Sequence, residues 1–179
     1  MHVDVGDLRR QPGRTIHFSF RQTLPSVEMA GEHLEFVGPV AVEGNIASGD
    51  RVLIAEGKVR VVVRRQCSRC LSHYTEEVVA PLEAEFVHGS QLSLLPEKTR
   101  EQALVFDGNE IDLRPTVEEA ILLALPMKAL CRPDCPGLCP RCGKDLREGP
   151  CACPPAEEDE RLAVLRNLIT PLKGSDNEG

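Results

Sequence analysis

Between Thr15 and Val87 the apolar residues return at every second position. Thr15-Ile-His-Phe-Ser-Phe20 and Leu34-Glu-Phe-Val37 alternate, and Val40-Ala-Val42 leads into Gly44-Asn-Ile-Ala-Ser-Gly-Asp50. Arg51-Val-Leu-Ile-Ala55 and Gly57-Lys-Val-Arg-Val-Val-Val63 resume the β-branched run, and Tyr74 to Val87 carries it further through Glu76-Glu-Val-Val-Ala-Pro-Leu-Glu-Ala-Glu-Phe86. A period of two sends alternate side chains to opposite faces, so each segment predicts a strand and the Gly/Asn/Ser/Asp stretches between them predict turns. The result is an antiparallel β meander, as a curved sheet or a small barrel. Pro39 and Pro81 suit edges or bulges, because proline has no N–H to give a ladder.

The period then changes. Residues 89–100 read as a loop, and Ala103-Leu-Val-Phe106 with Glu110-Ile-Asp112 predicts a short hairpin around Asp107-Gly-Asn109. A helix follows. Thr116 and Glu119 have capping-box spacing and Pro115 suits the entry, while Val117, Ala120, Ile121, Ala124 and Leu125 mark one face. Leu122 and Leu123 make it apolar nearly all round, which predicts a buried helix packed on the sheet and ended by Pro126. The next stretch has no hydrophobic period and is dense in Cys, Pro and Gly. Beyond it, Glu157-Glu-Asp-Glu160 precedes Leu162, Leu165, Leu168 and Ile169, the pattern of a short amphipathic helix. The fold class is therefore α+β: a β-rich core with one buried helix over residues 1–126 and a Cys-rich zinc-binding segment over 127–155, joined to the Cys67/Cys70 hairpin. A short amphipathic helix over 156–173 and a disordered tail over 174–179 complete the expectation.

Composition narrows the core and the compartment. With 41% apolar residues but one Tyr, five Phe and no Trp among 179, the core must be Val, Leu and Ile. A net charge of −7 argues against a surface coated in basic residues, yet leaves room for a local basic patch. The N-terminal residues lack a signal-like apolar stretch, and no run approaches the 18 or more apolar residues of a membrane span. The expected location is the cytoplasm, or an organelle stroma after import. In such a reducing compartment clustered cysteines read as metal ligands before disulfides.

Eight cysteines carry the chemistry. None precedes Cys67; Cys67-Ser-Arg-Cys70 is followed by Cys131-x3-Cys135, Cys139-Pro-Arg-Cys142 and Cys151-Ala-Cys153. Thiolates at i and i+3 converge on one point, and eight suffice for two tetrahedral sites. Gly143 after Cys142 can take positive φ and turn N–H groups toward sulfur, a feature the Cys67 pair lacks. The preferred partition puts Cys67, Cys70, Cys131 and Cys135 on one Zn²⁺ and Cys139, Cys142, Cys151 and Cys153 on another. One site with four spare thiols is the alternative, and an iron–sulfur centre fits these spacings less well than zinc. Binding of Zn²⁺ supplies on the order of 10–16 kcal/mol in finger peptides, which a segment without a core of its own requires.

Several of these stretches together resemble the YceD-type family, bacterial and plastid proteins associated with accumulation of 23S ribosomal RNA. They are Asp7-Leu-Arg-Arg-Gln-Pro-Gly13, Cys67-Ser-Arg-Cys-Leu71, Glu110-Ile-Asp-Leu113, Glu118-Glu-Ala-Ile-Leu-Leu-Ala-Leu-Pro126, Cys131-Arg-Pro-Asp-Cys-Pro-Gly-Leu-Cys-Pro-Arg-Cys-Gly143 and Cys151-Ala-Cys153. The resemblance implies a role in ribosomal RNA processing or stability, with ribosomal RNA or a large-subunit ribosomal protein as partner. It also implies that the first cysteine group is shared and the second an addition.

The residues themselves support a non-catalytic, RNA-binding accessory factor. From Lys128 to Arg147 five basic residues face two acidic ones, and Arg64, Arg65 and Arg69 flank the first cysteine pair. Arg64, Arg65, Arg69, Arg132, Arg141 and Lys144 are the candidate phosphate contacts, although the same charges could simply offset thiolates. An adaptor docking a ribosomal protein is the alternative. A zinc hydrolase is a weaker one, since no His-Glu-x-x-His, Gly-x-Ser-x-Gly or phosphate-binding glycine loop is present, and His73 reads as a solvent-facing strand residue. Oligomeric state has no sequence signal.

Overall fold

The computed structural model describes residues 1–29 and 32–154. The expected helix over 156–173 and tail over 174–179 lie outside the described residues. The chain divides into two compact units, Met1–Pro136 and Gly137–Gly179. Residues 127–136, placed with the cysteine-rich segment from sequence, thus belong to the first unit.

The first unit is built on one long sheet. The strands are β1 (His2–Asp4), β2 (Thr15–Gln22), β3 (Val27–Met29), β4 (Glu32–Phe36), β5 (Val40–Ser48), β6 (Leu53–Gln66), β7 (His73–His88), β8 (Leu104–Phe106) and β9 (Glu110–Asp112). The helices are α1 (Gly6–Arg10), α2 (Glu97–Gln102) and α3 (Arg114–Ala124). Strands β5, β6 and β7 form the expected antiparallel meander, with β2 outside β5 and β4 pairing the far end of β6. Among the described residues the strand order does not close on itself, so the sheet is open and not a closed barrel. Alternation does the work here: Val42 and Ile46 on β5, Val59, Val61 and Val63 on β6, and Val78, Ala80 and Leu82 on β7 are all buried on one face.

Gly44 does not make the turn its neighbours suggest. It sits inside β5 directly opposite Gly57 of β6. A Cβ on Gly44 would lie 2.3 Å from the Glu56 carbonyl oxygen and 2.7 Å from the Phe18 ring. The two glycines let the backbones close up beneath Phe18, and so β6 runs unbroken where sequence suggested two strands.

The predicted hairpin of β8 and β9 does not form. Strand β8 pairs parallel with β7, while β9 pairs antiparallel with β1. The N-terminus takes β9 because the Val5 N–H donates to the Asn109 carbonyl at 2.7 Å and Val5 and Leu8 are fully buried beside Ile111 and Leu113. Local turn chemistry lost to this packing.

Helix α3 packs on the core face through Val117 and Ile121, against β7 above all. It is buried on that face only, since Leu123 is 78% exposed. Its entry also differs from the expected box. The N-cap position is Leu113, which makes no side-chain cap bond; the Asp112 carboxylate just before it accepts the Arg114 N–H at 2.9 Å. Thr116 lies one turn inside, its hydroxyl oxygen buried and without a hydrogen-bond partner. Asp112 is fixed by β9, so the chain turns into the helix before Thr116 can act.

Gly44→Ala should therefore destabilise the fold by about 1–3 kcal/mol, the cost of overpacking a closed site. Thermal or urea unfolding checks it, and a variant as stable as the parent would refute the close-approach reading.

Candidate metal centres

The long β6–β7 hairpin carries Cys67 and Cys70 at its tip. There the Cys67 N–H donates to the Ser72 carbonyl and the Leu71 N–H to the Cys67 carbonyl, both at 2.9 Å. Leu71 adopts φ of +58°, the only positive value at a non-glycine among the described residues. In the second unit the same turn recurs. The Gly143 N–H donates to the Cys139 carbonyl and the Cys139 N–H to the Lys144 carbonyl, with Gly143 at φ +72°. Both Cys-x2-Cys pairs are thus knuckles of one design, although only the second has the glycine. Leu71, 54% exposed, bears the left-handed conformation because its side chain clears the protein.

The segment leaving α3 is held to the hairpin tip. Ser68 donates its N–H and its hydroxyl to the Ala129 carbonyl at 2.8 and 3.0 Å, and the Arg69 guanidinium donates to the Cys135 carbonyl at 2.8 Å. These bonds bring Cys131 and Cys135 against Cys67 and Cys70. The four sulfurs lie within 4.8 Å of one another, as do those of Cys139, Cys142, Cys151 and Cys153. The structure gathers the eight cysteines into the two groups preferred from sequence.

The spacing is that of a coordination shell. Cys67 and Cys135 sulfurs are 3.8 Å apart, and those of Cys70 and Cys131 are 3.7 Å apart. A tetrahedron with metal–sulfur bonds of 2.3 Å has edges of about 3.8 Å. In the second group Cys139 and Cys151 are closer, at 3.3 Å. A disulfide needs about 2.05 Å, and all eight thiols are free. Both groups could hold a metal ion, and a set of four sulfurs fits a thiophilic one.

The titration behaviour agrees. Burial pushes the Cys67 thiol up, but main-chain N–H groups of Cys131, Cys70 and Arg69 outweigh it and bring it to about 6. The Ser72 hydroxyl and N–H hold Cys70 below the usual thiol range. Cys139 falls to about 6 through the N–H groups of Cys142 and Arg141 and the Cys151 thiol. The adjacent Cys142 sulfur, then burial, pushes Cys153 up to about 12. In the first group Cys67 and Cys70 are both eased toward thiolate, and in the second Cys139 ionises readily while Cys153 resists, a conflict that a bound cation would resolve.

The candidate RNA contacts are not equivalent. Arg65 is 4% exposed, and its guanidinium donates to Glu76 at 3.0 Å and to the Pro126 carbonyl at 3.4 Å. It faces the core beside Val63 and cannot meet phosphate, which corrects its assignment. Exposed Arg64 pairs with Glu35 at 3.2 Å and Arg132 with Asp134 at 3.5 Å, while Arg69 reaches Cys135 as above. In the second unit Arg141 is exposed and Lys144 donates to the Pro150 carbonyl. His73 is exposed at the start of β7, as expected. Sequence reasoning missed Ser72, the Ala129 carbonyl and the Arg65–Glu76 pair; the cross-strand register of a hairpin tipped by Cys67/Cys70 was the available signal for the last.

Replacing Leu71 by glycine should raise stability by about 1 kcal/mol, the cost of a left-handed residue, without altering the sulfur set. Denaturant unfolding of Leu71→Gly against the parent tests this; a loss of stability would mean that the Leu71 side chain, and not the turn, matters.

Residues 55–169, spanning both cysteine groups, match the family described as large ribosomal RNA subunit accumulation protein YceD. An uncharacterized protein of Mycobacterium leprae is 31% identical over 94% of this chain and 77% of its own length. One of Mycobacterium tuberculosis is 31% identical over 96% and 82%. The chloroplastic large ribosomal RNA subunit accumulation protein YCED homolog 1 of Arabidopsis thaliana is 24% identical over 73% of this chain and 48% of its own. No solved structure matches. With the knuckle hairpin, the post-helix cysteines and the second cysteine group all inside the matched span, the chain belongs to the YceD family of large ribosomal RNA subunit accumulation proteins.

Proposed function

We propose that the chain is a non-catalytic accessory factor of large ribosomal subunit biogenesis that supports processing or accumulation of 23S ribosomal RNA. In this reading each cysteine group holds one structural Zn²⁺. The sulfur spacing of the first group carries the metal assignment, because 3.7 and 3.8 Å are tetrahedral edges. Four thiolates complete a tetrahedral shell, whereas a catalytic zinc keeps a position open for water. Zinc here fixes shape; the chain's own groups do the contacting.

Those groups are Arg64, Arg69 and Arg132 in the first unit and Arg141 and Lys144 in the second, all exposed. Backbone phosphate is the ligand they suit, since no aromatic flanks either knuckle for base stacking. Among the described residues no helix is long and apolar enough to cross a membrane. In this reading the chain works in the cytoplasm.

Two measurements test the proposal. Purified chain should carry two zinc ions, and Cys70→Ser and Cys142→Ser should each remove one; a chain that folds with none would end the metal assignment. In cells, crosslinks should map to large-subunit RNA, and Arg64→Glu with Arg132→Glu should lower the salt dependence of RNA binding by about one contact each. Crosslinks confined to non-ribosomal molecules would sink the functional reading.

A further inference from the structure

Strand β7 has sixteen residues, but β8 covers only its last three, pairing Leu104, Val105 and Phe106 with Phe86, Val87 and His88. On the side away from β6, residues 73–85 meet no strand among the described residues. Among the described residues, no main-chain hydrogen bond outside the β6 ladder begins or ends on them. Alternate residues of a strand direct their N–H and C=O to each side, so this edge presents a row of unused donors and acceptors.

A cleft of about 390 Å³ lies where the open edge meets β8, walled by β7, the α2–β8 junction and α3. Its apolar lining is Ala84, Leu104, Ala120 and Leu123, of which Leu104 is 40% and Leu123 78% exposed. Its charged lining is Glu83, Glu85 and Glu119, and none of these carboxylates has an ion-pair partner among the described residues. Glu56 of β6 stands directly opposite Glu83, a like-charge pair that costs stability on its own. The buried Thr116 hydroxyl, without a hydrogen-bond partner, also lines the cleft.

We infer that the free edge of β7 beside β8 binds an extended basic segment of a partner protein. The segment adds as a strand in line with β8. Its main chain takes the unused groups of residues 82–85, one set of alternating side chains packs apolar groups on Ala84, Ala120 and Leu123, and the other set sends Lys or Arg toward Glu83 and Glu85. Charge decides among occupants. A second copy of this chain would set Glu83 and Glu85 against their own kind, and nucleic acid would meet the same repulsion, whereas a basic strand neutralises both glutamates. Pro81, which has no N–H to offer, bounds the site on the hairpin side. The inference uses neither cysteine group and goes beyond the ribosomal RNA reading.

The test is a titration of the full chain, isotopically labelled, with a seven-residue peptide alternating lysine and valine, followed by backbone NMR. Amide shifts confined to residues 82–86, 104–105 and 116–123 are expected. The same peptide N-methylated at alternate amides should not bind, because methylation blocks strand addition. Glu83→Lys with Glu85→Lys, both exposed positions, should weaken the lysine–valine peptide by at least about tenfold and admit a glutamate–valine peptide in its place. The inference is overturned by no shifts at millimolar peptide, by equal binding of the methylated peptide, by indifference to the charge reversal, by self-association through residues 82–85, or by an RNA oligonucleotide that competes for the cleft.

Discussion

Four thiols packed within 4.8 Å of one another cannot all ionise unless a cation sits among them, and here the requirement arises twice. In the first unit it has architectural consequences. Cys67 and Cys70 stand on the tip of a hairpin whose strands run fourteen and sixteen residues, while Cys131 and Cys135 follow α3. Closing that sulfur set joins two places 61 or more residues apart in sequence, at the end of the sheet farthest from the N-terminal strand pair. The hydrogen bonds from Ser68 and Arg69 to main-chain carbonyls place the sulfurs, but each such bond contributes only about 1 kcal/mol net. A tetrathiolate ion, with an order of magnitude more binding energy, is what would make the arrangement obligatory.

Around that set the protein has chosen its charges with care for burial. Arg65 is the one buried guanidinium of the described core, and it meets a carboxylate and a carbonyl rather than solvent. Burial, then the Glu76 carboxylate, pushes the Tyr74 phenol up, so Tyr74 stays neutral beside the pair. Arg65 therefore belongs to the packed face of the hairpin, whereas Arg64, one residue away, faces outward to pair with Glu35. Sequence proximity alone could not separate these roles. Strand alternation could, because Arg65 shares parity with Val61 and Val63.

The fold was legible where one signal dominated. Period-two alternation located β2, β5, β6 and β7, and the cysteine spacings located both groups and their partition. It was illegible where a residue's local habit yielded to a distant partner. Gly44 looks like a turn residue until Gly57 and Phe18 are laid against it. Asp107-Gly-Asn109 looks like a hairpin turn until the N-terminal strand takes β9. Thr116 looks like a cap until the helix begins at Arg114, whose N–H goes to Asp112, anchored in that same strand pair. Leu71 looks wrong for a knuckle, yet the hydrogen bonds of the turn impose positive φ on whatever residue stands there. Each miss is a long-range or backbone constraint overriding a short-range preference, which no single window of sequence contains.

The first unit is also electrically divided along its length. Arg64, Arg69 and Arg132 gather at the knuckle end of β6 and β7, the first and last paired with Glu35 and Asp134, while Glu56, Glu83, Glu85 and Glu119 gather toward the other. A strand advances about 3.3 Å per residue, so Glu83 lies on the order of 40 Å from Cys70 along the hairpin. Salt at physiological strength screens exposed charges beyond about 8 Å. The two ends therefore act as independent fields, and the net charge of −7 describes neither. A polyanion drawn to the arginines is not repelled by the glutamates, and a basic strand drawn to the glutamates is not repelled by the arginines. Joined to the two proposals above, this separation lets the arginine end meet phosphate while the glutamate end meets a basic strand.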